Sequence, residues 1–170
     1  NKLPLPPIIA APKQSSSTSD YAKKLFRACE RGDALVADHE YARAKGIEWA
    51  AGAGRGIASG KLIGQDSDCV IVPVRNIEAT EVQGVQCINT IGIKQSFGDI
   101  SGGCLLLGNT LNLGAEWFVA EGWASAVSTV FHHQKEVCAC AFGKGNMEKV
   151  AKQIAAYYLP DQIIILKEQD

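Results

Sequence analysis

A chain of 170 residues with 46% hydrophobic and 21% charged residues suits one compact domain with a buried core and an appended helical segment. Its net charge of −1 argues against a strong general nucleic-acid binder. No apolar run approaches the roughly 18 residues of a membrane span, so no membrane partner is expected.

Residues 1–19 hold Pro4, Pro6, Pro7 and Pro12 and the run Ser15-Ser16-Ser17-Thr18-Ser19, which predicts a flexible linker. The chain begins at Asn1 with no charged region leading into an apolar stretch and a cleavage site. No signal peptide is therefore expected, and the chain reads as a piece of a longer, cytoplasmic protein. Asp20 can cap a helix over about 21–31, with Tyr21, Leu25, Phe26 and Cys29 at helical spacing. A second helix is predicted over about 36–45, ending near Gly46. Ala51-Gly52-Ala53-Gly54-Arg55-Gly56 lacks the Gly-Lys-Ser/Thr ending of a phosphate-binding loop and reads as a connector.

From residue 69 the period changes to two. Short strands are predicted at 69–74, 82–89, 93–97 and 104–107, as an antiparallel meander. Strand 116–120, helix 122–133, strand 136–142, helix 147–158 and strand 162–166 follow, with Pro160 where the last helix must stop. That β-α-β-α-β order predicts an α/β fold with a parallel sheet and flanking helices, behind a small helical and antiparallel-β subdomain. The expected division is a linker at 1–19, an accessory helical and β subdomain at 20–110 and a catalytic core at 111–170.

Parallel strands end on one edge of their sheet, which is where such folds bind ligands. Glu121-Gly122 closes Trp117-Phe118-Val119-Ala120, and Glu168-Gln169-Asp170 closes Ile163-Ile164-Ile165-Leu166. Three carboxylates converging there can hold a hard divalent cation such as Mg²⁺, which takes oxygen ligands. Acids also end strands simply because the chain turns into solvent, and both readings stay open. Lys94 and Arg75 can meet phosphates or form a solvated strand face. Lys144, in Phe142-Gly143-Lys144-Gly145-Asn146, follows the middle strand and should emerge on the same edge. His39 reads as a packing or capping residue and His132-His133 as surface. Trp49, Trp117 and Trp123 read as packing residues rather than base-stacking platforms.

The six cysteines form no Cys-x-x-Cys pair and lie at no zinc spacing from a histidine, so they read as reduced thiols. Residues 1–61 carry ten Lys or Arg against six Asp or Glu, and residues 62–170 seven against twelve. The resulting balance of +4 and −5 suits an acidic metal site beside a path for a polyanion.

From about His39 to Asp170 the sequence resembles the Toprim-containing primases of phages and plasmids. The matching stretches begin with His39-Glu40-Tyr41-Ala42-Arg43-Ala44-Lys45-Gly46-Ile47. Val72-Pro73-Val74-Arg75-Asn76, Val85-Gln86-Cys87-Ile88, Gly92-Ile93-Lys94 and Ser101-Gly102-Gly103 follow. Val119-Ala120-Glu121-Gly122-Trp123-Ala124-Ser125-Ala126, Gly145-Asn146-Met147 and residues 163–170 complete the series. The resemblance rests on their order and spacing over some 130 residues, since no one piece is specific.

The resemblance implies a Toprim-like sheet and metal-dependent nucleotidyl transfer that makes short RNA primers on single-stranded DNA. It implies Mg²⁺ (or Mn²⁺), nucleoside triphosphates, a template strand, and a helicase in the same protein or replisome. It assigns Glu121 as the catalytic acid and Glu121, Glu168 and Asp170 as metal ligands. Glu168 stands where that family has an aspartate, and the chain stops at Asp170, before the elements that complete the family's fold. A module that no longer catalyses, and binds single-stranded DNA or a replication partner, is the second reading. A nuclease or topoisomerase is the third, but no nucleophilic tyrosine on a separate domain is evident.

Overall fold

Tyr21, Leu25 and Phe26 recur at three- and four-residue steps and fall on one buried stripe of helix α1, Thr18–Ala28. The computed structural model describes residues 5–10 and 18–167. Of the expected linker, 1–4 and 11–17 lie outside the described residues. The chain separates into two compact units, residues 1–73 with 82–100, and residues 74–81 with 101–170.

In the first unit, α1 packs on a four-stranded sheet of order β1-β2-β3-β4, made of Gly54–Gly60, Gly64–Arg75, Val82–Ile88 and Lys94–Gly98. The residues of β2 from Val74 onward belong to the second unit. Ile71, Val85 and Phe97 meet α1 in one apolar cluster, with Ile9 half-buried against it. Tyr21 sits edge-on to Phe97 at 5.0 Å, and its hydroxyl accepts a hydrogen bond from Ser59 N–H at 3.0 Å. The helix expected at 36–45 is two short ones, α2 Asp33–Ala37 and α3 Glu40–Ala44. His39 breaks the run, because its extended backbone and ring nitrogen cap α3.

The glycine-rich connector is a correction, since residues 54–56 open strand β1. Its glycines reflect close approach rather than a loop: a Cβ on Gly54 would lie 2.4 Å from Cys29 Sγ and 2.9 Å from Glu30 O. Between them Arg55 grips the Asp68 carboxylate with two hydrogen bonds of 2.9 and 2.6 Å.

The second unit is a sheet of order β5-β7-β6-β8, made of Leu105–Gly108, Val137–Cys140, Glu116–Ala120 and Gln162–Ile165. β6 runs parallel to both β7 and β8. β5 was expected in the meander; it pairs antiparallel with β7 instead, so the sheet is mixed rather than wholly parallel. Chain direction explains the change. Cys104 bridges Arg75, so β5 leaves the end of β2 and enters the second unit.

Along β6 the side chains alternate. Trp117 and Val119 pack with Val150 and Ile154 of α5, Met147–Tyr157, while Phe118 faces the α4 side. The helix expected at 122–133 is α4, Trp123–Val127, continuing as a π-helical turn, Ser128–His132. Trp117 and Trp123 are fully buried, which makes them packing residues. Among the described residues no helix is long and apolar enough to cross a membrane.

Candidate active site

Strand order decides where the second unit can hold a ligand. The chain leaves β6 for α4 and returns in β7, then leaves β7 for α5 and jumps back over β6 to β8. These two crossovers run in opposite directions. With right-handed connections their helices fall on opposite faces, so the loops after β6 and β7 part, the position at which open α/β sheets bind ligands.

Two lips flank that position, Glu121-Gly122 after β6 and Phe142–Asn146 after β7. The lips are joined at their base, where Ala141 N–H donates to Ala120 O at 2.9 Å and Gly143 N–H to Glu121 O at 3.1 Å. Glu121 is half-buried, and Lys144 is exposed on the opposite lip. On the other side of β6, Leu166 N–H donates to Val119 O at 2.8 Å. The chain therefore leaves β8 at Lys167 on the same edge as Glu121. Glu168 and Asp170 lie outside the described residues.

The second lip is built on backbone geometry. Phe142 has φ of 61° and Gly143 φ of 145°, a pair that reverses the chain above β7. Asn146 then ties this lip to the loop 101–103. Its Nδ2 donates to Ala141 O at 2.9 Å and Gly103 O at 3.1 Å, and its Oδ1 accepts from Gly102 N–H at 2.9 Å. Lys149 Nζ adds a bond of 2.7 Å to Ser101 Oγ. Two stretches far apart in sequence, Ser101-Gly102-Gly103 and Gly145-Asn146-Met147, thus meet at one amide. Sequence reasoning picked out both stretches but not this role for Asn146. The signal available was a side chain with two donors and an acceptor, next to glycines that leave the backbone bare.

Arg75 belongs to the same unit. It is half-buried, and it exchanges two 2.9 Å backbone hydrogen bonds with Cys104, one residue beyond Gly103. Lys94 belongs to the other unit. There it is exposed and borders a cavity of about 380 Å³ with Tyr41, Lys45 and Ile91.

All six cysteines are free and buried. Burial pushes the thiols of Cys69 and Cys104 up to about 12 and that of Cys87 well above its ordinary value, which keeps these sulfurs protonated and unreactive as nucleophiles at neutral pH. Among the described residues no three His, Cys, Asp or Glu side chains gather closely enough to hold a metal.

No family model matches the sequence, and no curated protein matches it. Among solved structures the chain is similar to the primase fragment of the bacteriophage T7 primase-helicase protein. The TM-score is 0.56 at 11% sequence identity, over 96% of this chain and 64% of that one. The fold is similar to that of this phage primase fragment. At that identity the likeness is one of fold, and this chain spans less than two thirds of that fragment's length.

Proposed function

We propose that this chain is the catalytic region of a DNA primase, with a Toprim-like core that joins nucleotides into short RNA primers on single-stranded DNA. The observation that carries the reading is Glu121. In a fold similar to a primase fragment, it directly follows the central strand β6, where the connections after β6 and β7 diverge.

The donor chemistry fits a hard cation. Carboxylate oxygens are what Mg²⁺ or Mn²⁺ takes; Glu121 supplies one, and Glu168 and Asp170 follow β8 in the sequence. These three residues would hold the ion. When bound, it would neutralise charge that develops on phosphoryl oxygens and lower the pKa of the attacking hydroxyl.

The chain's own residues supply the remainder. In primer synthesis a 3′-hydroxyl oxygen bonds to the α-phosphorus of a nucleoside triphosphate, the bond to the β-phosphate oxygen breaks, and pyrophosphate leaves. Glu121 either anchors the cation or takes the hydroxyl proton. Lys144, on the second lip, and Arg75, linked through Cys104 to the loop that Asn146 secures, would bind phosphates of nucleotide or template. Lys94, in the first unit, would bind phosphates of template or nucleotide. A helicase in the same protein or replisome would present the single strand.

A catalytically degenerate module, which binds single-stranded DNA or a replication partner without joining nucleotides, is the second reading. Glu168 favours it, because its carboxylate sits one methylene farther out than the aspartate of the family this chain resembles. Template-dependent dinucleotide synthesis by the full-length protein, with and without Mg²⁺, separates the two. Glu121→Gln should lower synthesis on the order of 10³-fold, because it removes a charge from the phosphoryl transition state and little packing volume. Glu168→Asp should keep or raise the yield. Wild-type yield from Glu121→Gln removes the role assigned to that residue, and DNA binding without Mg²⁺-dependent synthesis in the wild type favours the second reading.

A further inference from the structure

The face of the second sheet that carries α4 holds a cavity of about 450 Å³ that the Glu121 chemistry does not use. Phe118 of β6 and Leu166, after β8, form its apolar floor. Ser125 of α4 and Ser128 of the π-helical turn bring hydroxyls to its wall, and Lys135 and Lys167 stand exposed among its lining.

The wall owes its shape to the change in winding. His133 N–H bonds to Ser128 O, five residues back, at 2.9 Å, which widens the helix where it borders the cavity. Such π-turns within helices are frequent at functional sites. The Lys135 ammonium lies 5.6 Å from the centre of the Phe118 ring. None of the ion pairs among the described residues involves Lys135 or Lys167.

We propose that this cavity binds a nucleoside phosphate, its base against Phe118 and Leu166 and its phosphate at Lys135 and Lys167. Two cations beside a single apolar floor match a dianionic head on a flat body. Serine hydroxyls match the polar edges of a base or the hydroxyls of a sugar, and a simple fatty acid would leave both of them and one lysine unmatched. The volume lies in the usual range for small-molecule sites, roughly 300–1,000 Å³. Ser125 rides on α4, which starts directly after Glu121-Gly122, so an occupant would brace the helix behind the catalytic lip. The site does not rest on the primer-synthesis reading, because neither Glu121 nor a metal takes part in it.

Calorimetric titration of the full-length protein with AMP in EDTA, together with amide chemical shifts, tests the proposal. Wild type and Glu121→Gln should bind AMP alike, with shifts at 125–129 and 166–167. The exposed-site double variant Lys135→Ala/Lys167→Ala should bind about tenfold more weakly or worse. Ser125→Leu, which fills the cavity without changing charge, should block binding, with circular dichroism confirming its fold. Unchanged AMP affinity in the lysine double variant overturns the site. So do shifts confined to Glu121 and 143–146, inorganic phosphate binding as tightly as AMP, or octanoate binding where AMP does not.

Discussion

His39 is fully buried with both ring nitrogens engaged: Nδ1 accepts from Tyr41 N–H at 3.1 Å, and Nε2–H donates to Asp68 O at 2.9 Å. These partners require the neutral ring with its proton on Nε2. Burial pulls its pKa below the ordinary histidine value, outweighing the upward pull of the Asp68 carbonyl and carboxylate. The unfolded chain therefore takes up a proton before the folded one does. The contribution to stability is complete above about pH 6.5, the ordinary value, and is lost as pH falls through the lower folded value. Urea unfolding from pH 7.5 to 5 should show stability dropping with acid. His39→Asn, which keeps a capping side chain without the titration, should flatten that slope. An equally steep slope in the variant would put the acid sensitivity elsewhere. The role of His39 was legible in the sequence, because a histidine just before a helical run commonly serves as a cap. The Arg55–Asp68 clasp beside it was not, since nothing local pairs residues 13 positions apart.

At the level of elements, period carried most of the reading. The strands at 116–120 and 162–166 and the helix at 147–158 match β6, β8 and α5 closely, because each is an apolar run of the right length bounded by a turn signal. β1 was hidden because its glycines are there for α1 to approach, and a strand selected for closeness lacks the β-branched residues that announce one. The shape of the second lip was hidden too, since it depends on a long-range amide. Asn146→Ala strands Gly102 N–H, Gly103 O and Ala141 O at once. It should cost about 1–3 kcal/mol, the penalty for leaving partly buried backbone groups unsatisfied. If the lip positions Lys144 for phosphate, the same change should raise KM for nucleoside triphosphate more than it lowers kcat. A stability loss with unchanged KM would make Asn146 a structural clamp alone. Asn146→Asp keeps the acceptor for Gly102 but turns a carboxylate oxygen on the Gly103 and Ala141 carbonyls, so it should cost at least as much as alanine.

At the level of the whole molecule, one apolar cluster of described residues lies in each unit, and these two share no residue. One gathers Leu25, Phe26, Ile71 and Phe97, the other Trp117, Val119, Val150 and Ile154. Charge divides along the same lines. Residues 1–73 and 82–100 carry eleven Lys or Arg against nine Asp or Glu, and the remainder six against nine, giving +2 and −3. Each unit thus has its own source of burial free energy, and damage should stay where it is made. Leu25, at 1% exposure, and Ile154, at 0%, are each surrounded by their own cluster. Truncating either to alanine should cost about 2–5 kcal/mol through lost transfer energy and the cavity left behind. With no shared partners the double variant should sum the single costs to within about 0.5 kcal/mol. Amide exchange gives the sharper measurement. Leu25→Ala should lower protection in β1, β3 and β4 and spare β6 and β7, while Ile154→Ala does the reverse. Protection falling equally across both sheets in either variant would show one cooperative body, and the separate clusters would then describe packing without describing stability.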